Sequence, residues 1–502
     1  MNKSITKSIV SVTGIVLLSK VLGLVKQIIT ANAFGATIDT DIISLSEGLI
    51  INVDFLLVQA LATAFIPTYM SAKKEDSEKI KFVSNTIKVF FFISLLVAII
   101  IMCTSPFLSK LLAPSYSYEL SNKLSVYLRI FSPVLVLIVE MAVFSSLLKA
   151  NEKFIPVELI GFNQSVILIV LIFLFGKKLG PNTLVFGFYL YAIINLVFLV
   201  ISSKGLWRIT YGNPFRDTNV KKLMVMMGPL ILGYSMIFVN QQVDKIIVSG
   251  LVEGTITAMN YASVLSNFII TFISSICSVL FTYITQSIVS KDERGAAKLT
   301  SESMWRLTIL LLPISIITIM NSFDIVSIIF GRGKFDVIAV QNCSYALIGY
   351  AIMFIPYIVR EVLSRFQYAY GDSKRPMINS TISIFFNILF SIILSKFFGV
   401  FGVTFATSIS VAICAILNYI TSKSKNEYLR CKTDKKSGIK LVLGALLCVS
   451  ASIIGKITLN EMNCLVRFLI IASISLVLYF LIHLDTLSSV ICQLKKDMRS
   501  NN

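Results

Sequence analysis

Long apolar runs follow one another along almost the whole of this chain, and they constrain its fold more than any other feature. About fourteen runs reach the roughly 20 residues that an α-helix needs to cross a bilayer. Their approximate limits are 5–33, 39–69, 82–112, 122–149, 155–175, 182–203, 219–249, 254–288, 297–320, 337–369, 377–396, 400–421, 438–456 and 464–484. Only 14% of the residues are charged, against about 25% in soluble domains. The sequence therefore predicts an all-α polytopic membrane protein.

Basic residues concentrate in the short connections on one side of the predicted membrane. The formal net charge is +19, but the lysines and arginines lie between apolar runs and not in a domain that would bind nucleic acid. Lys73, Lys74, Lys79 and Lys81, for example, share one connection. Because such loops are usually cytoplasmic, we expect a multi-pass membrane protein. Both termini are predicted to lie in the cytoplasm, and membrane lipids are its expected surroundings.

The residue patterns of common catalytic and metal sites are missing. The sequence has no G-x-x-x-x-G-K-[ST] phosphate loop, which excludes ATP hydrolysis of the P-loop type. His483 is the only histidine, and the eight cysteines form no C-x-x-C pair. No long loop leaves room for a soluble catalytic domain. We therefore expect a transporter and not an enzyme, without a cofactor of its own.

Short motifs recur along the chain at an offset of about 215–220 residues, which indicates an internal repeat. Phe65-Ile66-Pro67-Thr68-Tyr69 parallels Leu280-Phe281-Thr282-Tyr283, and the segment 150–156 parallels 370–376. An even number of helices separates the copies, so both halves have the same orientation, as in transporters with parallel repeats. We predict a six-helix lobe over 1–205, a second over 206–425, and two additional helices with a basic tail over 426–502.

Five charged residues interrupt the first two apolar runs. They are Lys20, Lys26, Asp41, Glu47 and Asp54. A charge at bilayer depth costs roughly 2.5–3.5 kcal/mol on insertion scales, so it usually faces a protein interior or water. The lysines thus predict a wet cavity that binds an anion, and the five residues form the candidate substrate-binding set. Two alternatives stay open: the lysines extend to opposite membrane surfaces, or the acids form buried ion pairs that only orient the helices.

A second candidate set consists of oxygen-bearing groups in later runs. Its members are Asp244, Ser383, Asn387, Val403 and Thr407. Carboxylate, amide, hydroxyl and carbonyl oxygens suit a hard cation such as Na⁺, by extension from the oxygen ligands of other hard cations. The alternative is that these residues form hydrogen bonds between packed helices.

Several motifs, taken in order, resemble the MurJ (MviN) lipid II flippase family, within the superfamily that includes MATE exporters. They run from roughly residue 10 to 420. The motifs are Leu18-Ser19-Lys20-Val21-Leu22-Gly23-Leu24, Ala33-Phe34-Gly35-Ala36-Thr37, Thr40-Asp41, Ala64-Phe65-Ile66-Pro67, Met227-Gly228-Pro229, Phe330-Gly331-Arg332-Gly333-Lys334-Phe335 and Tyr368-Ala369-Tyr370-Gly371-Asp372-Ser373-Lys374-Arg375-Pro376.

The resemblance implies two six-helix lobes plus two further helices around an alternating central cavity. The implied cargo is undecaprenyl-pyrophosphate-linked peptidoglycan precursor, lipid II, moved from the inner to the outer leaflet for cell-wall biogenesis and cell shape. An ion gradient or the membrane potential would drive it, with Na⁺ and H⁺ both open as the coupling ion. The family's two first-helix basic positions fall on Lys20 and Lys26, its second-helix aspartate falls on Asp41, and the sodium ligands of some members fall on the second candidate set. Cell-wall synthesis proteins stay open as partners.

The chain departs from the family pattern at three places. A basic position in the eighth helix falls on Val264, a second-helix arginine is replaced near Val53-Asp54, and the segment before the Phe-x-Pro motif differs around Gln59-Ala60-Leu61. The loss of two cationic positions favours, as an alternative, a flippase for another polyprenyl-linked oligosaccharide of capsule or O-antigen type. A MATE-type cation-coupled drug exporter is a weaker alternative, because lysines in the first helix oppose it. A membrane scaffold of an envelope-assembly complex is the third.

Overall fold

The computed structural model describes residues 3–72, 76–211, 213–429 and 435–484 of the 502-residue chain. These residues form sixteen α-helices, one short 3₁₀-helix (Pro214–Arg216) and no strand. The helices are α1 (Lys3–Phe34), α2 (Ile38–Ser71), α3 (Asp76–Leu112), α4 (Tyr118–Phe131), α5 (Val134–Ala150), α6 (Ile155–Leu179), α7 (Asn182–Ser202), α8 (Thr218–Val248), α9 (Thr255–Val289), α10 (Glu293–Met320), α11 (Ser322–Ile329), α12 (Val337–Ile352), α13 (Phe354–Ala369), α14 (Lys374–Lys423), α15 (Lys435–Thr458) and α16 (Cys464–Ile482). The prediction of an all-α membrane protein is confirmed.

Most of the predicted apolar runs are membrane-length helices. In the described residues, 11 helices are long and apolar enough to span a membrane, or up to 13 if each bent pair counts as one span. The predicted runs 377–396 and 400–421 form one element, α14, interrupted at Gly399 (φ 56°, ψ −135°). The predicted count of fourteen depends on counting α14 twice, so it stays a prediction.

Two predicted helices are divided in the structure. The run 122–149 is two helices, α4 and α5, which meet at Pro133. Proline has no amide hydrogen and crowds the preceding turn, so a helix rarely continues through it. The run 337–369 is likewise divided into α12 and α13, with a bend of 41°; Pro356 lies in the first turn of α13, where a missing amide is tolerated.

The chain forms two compact units. Unit 1 comprises Met1–Thr257 and Arg332–Asp336, and unit 2 comprises Ala258–Gly331 and Val337–Asn502. Helix α8 belongs to unit 1 and packs against α2 and α3. The predicted lobes 1–205 and 206–425 are defined by the sequence repeat. The compact units do not test this repeat, so the division into two lobes stays a prediction.

Helix α2 is the central helix of unit 1. It begins with a capping box in which the side chains of Thr37 and Thr40 each accept from the other's backbone amide, and this satisfies two amides that a helix start leaves unpaired. It packs against α4, α5 and α8, while α1 packs against α6. Phe65 of α2 lies 5.3 Å from Phe82 of α3, centroid to centroid, within a large apolar core. The charges of α2 are therefore held on a well-packed element.

Unit 2 contains a buried polar layer between α13 and α14. The Gln367 side-chain amide donates to the Asn418 carbonyl at 3.0 Å and to the Ser422 hydroxyl at 2.8 Å. Asn379 donates to the Asn418 side chain at 2.8 Å. Such hydrogen bonds between helices are a usual way to join membrane helices, and here they fix α14 against α13.

Helices α15 and α16 pack against each other and against α10. A buried ion pair adds to this packing, because an Arg467 nitrogen lies 2.5 Å from an Asp324 oxygen. The Asp324 side chain is only 2% exposed. Lys456 of α15 donates to the Met320 carbonyl at the end of α10. Charge pairing and packing together attach these two helices to the rest of unit 2.

Replacement of Arg467 by Met tests this attachment. Arg467→Met leaves the Asp324 carboxylate buried without its cation, so we expect the free energy of unfolding to fall by about 3 kcal/mol. Thermal unfolding of the purified protein in detergent measures the loss. Lys298→Met is the control, because Lys298 pairs with Glu302 at 3.8 Å with a 77% exposed side chain, and such pairs contribute about 1 kcal/mol or less. Equal effects of the two substitutions would contradict the assignment.

Candidate functional site

The two predicted lysines of α1 have different surroundings. Lys20 is exposed and Lys26 is half-buried. The turn after Lys26 is reinforced by Thr30, whose hydroxyl donates to the Lys26 carbonyl at 2.8 Å. Lys26 is therefore the lysine of the pair that belongs to the interior of unit 1.

Glu47 of α2 has two lysines from other helices of unit 1 as charged neighbours. This acid of α2 is half-buried and lies within electrostatic range of Lys26 from α1 and of Lys245 from α8. We call these three residues the charge cluster. Its formal charge is +1, so the carboxylate compensates only part of the cationic charge. Two ammonium groups that share one carboxylate attract anions electrostatically, and the role of this cluster in substrate binding stays a prediction.

Lys245 is not among the predicted site residues. Its ammonium group packs against the Cα of Gly48 on α2, where any side chain larger than glycine would overlap it. The sequence signal for Lys245 is a charged residue inside an apolar run. The adjacent Asp244, however, suggests that the two charges neutralise each other. The contact with α2 depends on tertiary packing, which the sequence pattern does not show.

Asp54 lies two turns along α2 from Glu47. Both carboxylates are within electrostatic range of Tyr191, a buried residue of α7. Asp54 is half-buried, and among the described residues one of its oxygens has no hydrogen-bond partner. Asp54 is thus an interior acid without a cation of its own.

Asp41 binds the beginning of α9. Its carboxylate accepts from the backbone amides of Gly254 and Thr257, each at 2.8 Å, and from the Thr257 hydroxyl at 2.6 Å. These amides belong to the N-terminal end of a helix, where a negative charge is stabilised. Outside the helices, burial raises the pKa of the Tyr116 phenol, and the charges of Asp41 and Glu253 raise it further. Asp41 therefore has a structural partner, and its role in substrate binding or gating stays a prediction.

Glycines with positive φ allow three loops of unit 1 to interlock beside Asp41. Gly254 (φ 81°) lies against the Ala36 carbonyl, and Gly333 (φ 60°) lies against Asn32. The Lys334 amide donates to the Asn32 carbonyl at 3.0 Å. A side chain at either glycine would be strained and would also overlap backbone or side-chain atoms. We call this arrangement of residues 32–41, 249–257 and 332–336 the three-loop closure.

The predicted sodium ligands are divided between the two units. Asp244 lies in unit 1, and Ser383, Asn387, Val403 and Thr407 lie on α14 in unit 2. The Ser383 hydroxyl donates to the Ser410 carbonyl at 2.7 Å, and the Asn387 side-chain oxygen accepts from Ser391 at 3.0 Å. From this set, unit 2 thus supplies only neutral oxygens. The Ser383 hydroxyl and the Asn387 side-chain oxygen already have protein partners. That arrangement favours helix–helix bonding over a cation site, and the sodium assignment stays a prediction.

Replacement of Asp41 by Asn tests its role as a cap of α9. Asp41→Asn puts an NH₂ group where a backbone donor now binds an oxygen, so we expect a loss of about 2 kcal/mol of unfolding free energy. Asp39→Asn is the matched control in the same helical turn. Asp39 pairs with Lys123 at 2.6 Å, but both side chains are over 40% exposed, so its loss is expected to cost less than about 1 kcal/mol. Thermal unfolding in detergent compares the two, and equal effects would show that the cap contributes little.

Comparison with known proteins adds to this geometry. The sequence profile of the family described as lipid II flippase MurJ matches residues 30–478. The probable lipid II flippase MurJ of Rickettsia prowazekii (strain Madrid E) is 26% identical over 450 residues, which cover 87% of each chain. That of Vibrio cholerae serotype O1 (strain ATCC 39315 / El Tor Inaba N16961) is 24% identical over 84% of this chain and 83% of its own.

Solved structures show the same fold. A structure of lipid II flippase MurJ in an inward closed conformation matches with a TM-score of 0.82 at 22% identity, over 96% of this chain and all of the other. An inward-facing MATE family multidrug transporter of the MOP superfamily matches with a TM-score of 0.66 at 14% identity, over 83% of this chain and 96% of the other. Since the family profile matches most of its length, this chain belongs to the lipid II flippase MurJ family.

Proposed function

We propose that this protein is a flippase that moves undecaprenyl-pyrophosphate-linked peptidoglycan precursor, lipid II, from the inner to the outer leaflet of the bacterial cytoplasmic membrane by alternating access. Membership of the family supports the cargo. The charge cluster is the observation that carries the proposal, because a partly compensated pair of lysines inside a membrane protein suits a pyrophosphate headgroup. Asp41 would fix the loops at one end of the same unit.

The pyrophosphate would bind by exchange of counter-ions. In the absence of cargo, Glu47 partly balances Lys26 and Lys245. An arriving pyrophosphate replaces Glu47 as their partner, so the lysines are never left unpaired at membrane depth, where unpaired charge is costly. Lysine offers a point charge without the planar fork of arginine, which suits a cargo that must be released after translocation. Lys20, which is exposed on the same helix, would add to the attraction.

The orientation follows from the loops. The excess of lysine and arginine in the connection after α2 and in the equivalent later connections supports cytoplasmic termini. The three-loop closure would then lie at the outer face, since α1 begins in the cytoplasm and ends at Phe34. An ion gradient or the membrane potential would supply the driving force, at about 2.3 kcal/mol per unit charge for each 100 mV.

A flippase for another polyprenyl-linked oligosaccharide is the second candidate. Val264 on α9 is apolar and half-buried where the family resemblance implies a basic residue, and Asp54 supplies an acid in place of a second-helix arginine. Fewer cations favour a headgroup with less negative charge. Complementation of strains that lack lipid II flipping or oligosaccharide export distinguishes the two cargoes.

Removal of the Lys26 charge is expected to abolish cargo translocation. Lys26→Ala should fail to complement a bacterium depleted of its lipid II flippase, because the pyrophosphate of the cargo loses a charged partner, and the viable count should fall to that of cells without a complementing gene. Lys26→Arg keeps the charge and is expected to complement. Lys110→Ala is the control, because Lys110 is an exposed lysine at the end of α3. Full rescue by Lys26→Ala at normal expression would reject the assignment.

Removal of the internal counter-ion is expected to have the opposite effect on binding. Glu47→Gln leaves Lys26 and Lys245 without the acid in their electrostatic range, so lipid II should bind roughly tenfold more tightly, because its pyrophosphate no longer competes with an internal carboxylate. Release should slow, and translocation should therefore fall. Binding to the protein in nanodiscs, measured beside translocation in proteoliposomes, checks both. Weaker binding by Glu47→Gln would contradict the exchange of counter-ions.

A further inference from the structure

Glu140 is a buried acid of unit 1 that takes no part in the site described above. It lies on α5 and is 6% exposed. Its neighbours along the helix, from Ile138 to Phe144, belong to the apolar core of unit 1. Arg129 lies eleven residues before Glu140, but Pro133 separates their helices, and Arg129 donates to the Ser105 hydroxyl at 2.7 Å. The acid and the base that one continuous helix would place on a shared face are thus not paired.

Within the described residues, neither oxygen of Glu140 has a hydrogen-bond partner. The helices that pack against α5 are α2, α3, α6 and α7. Their titratable side chains nearest in level to Glu140 are Glu47 and Asp54 of α2, Lys88 of α3, Glu158 of α6, and Tyr189 and Tyr191 of α7. Lys88 donates to the Thr210 carbonyl and Tyr189 to the Ile130 carbonyl. No described cation therefore compensates Glu140.

An ionised carboxylate does not persist in such surroundings. A buried charge without a counter-ion or hydrogen bonds gives up its charge by taking a proton. The neutral acid removes the charge and gains one hydroxyl donor. The protonated form of Glu140 is therefore the one that suits its surroundings.

Contacts between α2 and the α4–α5 span show which residues of α2 lie level with Glu140. The pairs Asp39–Lys123 and Tyr69–Asn151 join the two ends of α2 to the α4–α5 span, with sequence separations of 84 and 82. This register places Glu140 level with Leu56–Val58, one helical turn from Asp54. Asp54 also has a buried oxygen without a described partner, and it is half-exposed where Glu140 is not. Among the interior acids of α2, Asp54 is thus the one closest in level to Glu140, and it is the more exposed of the two.

We propose that Glu140 is a buried proton-binding site through which this protein couples the movement of its cargo to a proton gradient, with Asp54 as the acid through which the proton enters and leaves. The coupling rests on the proposed flippase function. Each transport cycle then carries one proton inward as the glycolipid moves outward.

Two measurements on the full chain in proteoliposomes test the proposal. The first is infrared difference spectroscopy of the carbonyl stretch of protonated carboxylic acids at neutral pH. The second is lipid II translocation with and without an imposed proton gradient that is acid outside. Glu140→Gln imitates the neutral acid in shape, and Glu119→Gln is the control, because Glu119 is an exposed acid at the start of α4. We expect Glu140→Gln to lose one protonated-acid band and all acceleration by the gradient, while Glu119→Gln behaves like the unaltered chain.

An unchanged band in Glu140→Gln would show that Glu140 is ionised and would overturn the proposal. Loss of the band with full acceleration by the gradient would also overturn it, since the proton would then be only structural. Asp54→Asn is expected to keep the Glu140 band but to slow its exchange in deuterated buffer, and unchanged exchange would remove Asp54 from the route. Absence of translocation by the unaltered chain would reject the proposed function, and the infrared band would still decide whether Glu140 holds a proton.

Discussion

Charge inside a membrane must be matched, because hydrocarbon offers neither water nor counter-ions. Unit 1 meets this requirement for three acids in three ways. Asp41 accepts hydrogen bonds from the amides and hydroxyl at the start of α9, Glu47 is within electrostatic range of two lysines, and Glu140 has no hydrogen-bond partner in the described residues. In the functions proposed above, one chemical group is a structural cap, a replaceable counter-ion or a proton carrier, and its surroundings decide which.

Most of the fold follows from the sequence because one physical rule dominates it. Apolar runs must be helical in a bilayer, so all of the predicted runs appear as helices. The interruptions follow less directly. Pro133 divides a predicted helix as its chemistry requires. Gly399, in contrast, has non-helical backbone angles that kink α14. Whether such a break makes two spans depends on packing, which periodicity does not report.

The site is partly predictable for the same reason. Lysines and acids are conspicuous in apolar runs, so sequence reasoning alone identifies Lys26 and Glu47 as candidates. It does not identify Lys245, because the meaning of that residue depends on contact with Gly48, nearly 200 residues earlier in the chain. Asp41 is a candidate by its charge and by resemblance, but its bonds to Gly254 and Thr257 link positions 213 and 216 residues apart, close to the offset of the sequence repeat. Pairings at such separations are invisible to local patterns.

The three-loop closure also bears on how the protein is made. Residues 332–336 belong to unit 1, although the chain before and after them belongs to unit 2. At ~5–20 residues per second, this segment emerges from the ribosome on the order of 4–15 seconds after Thr257. Unit 1 therefore cannot be completed while it is being synthesised, and its exposed loops must wait for a late segment of the chain. Newly made protein passes through an interval in which one end of unit 1 is open, when insertion factors or proteases have access to it.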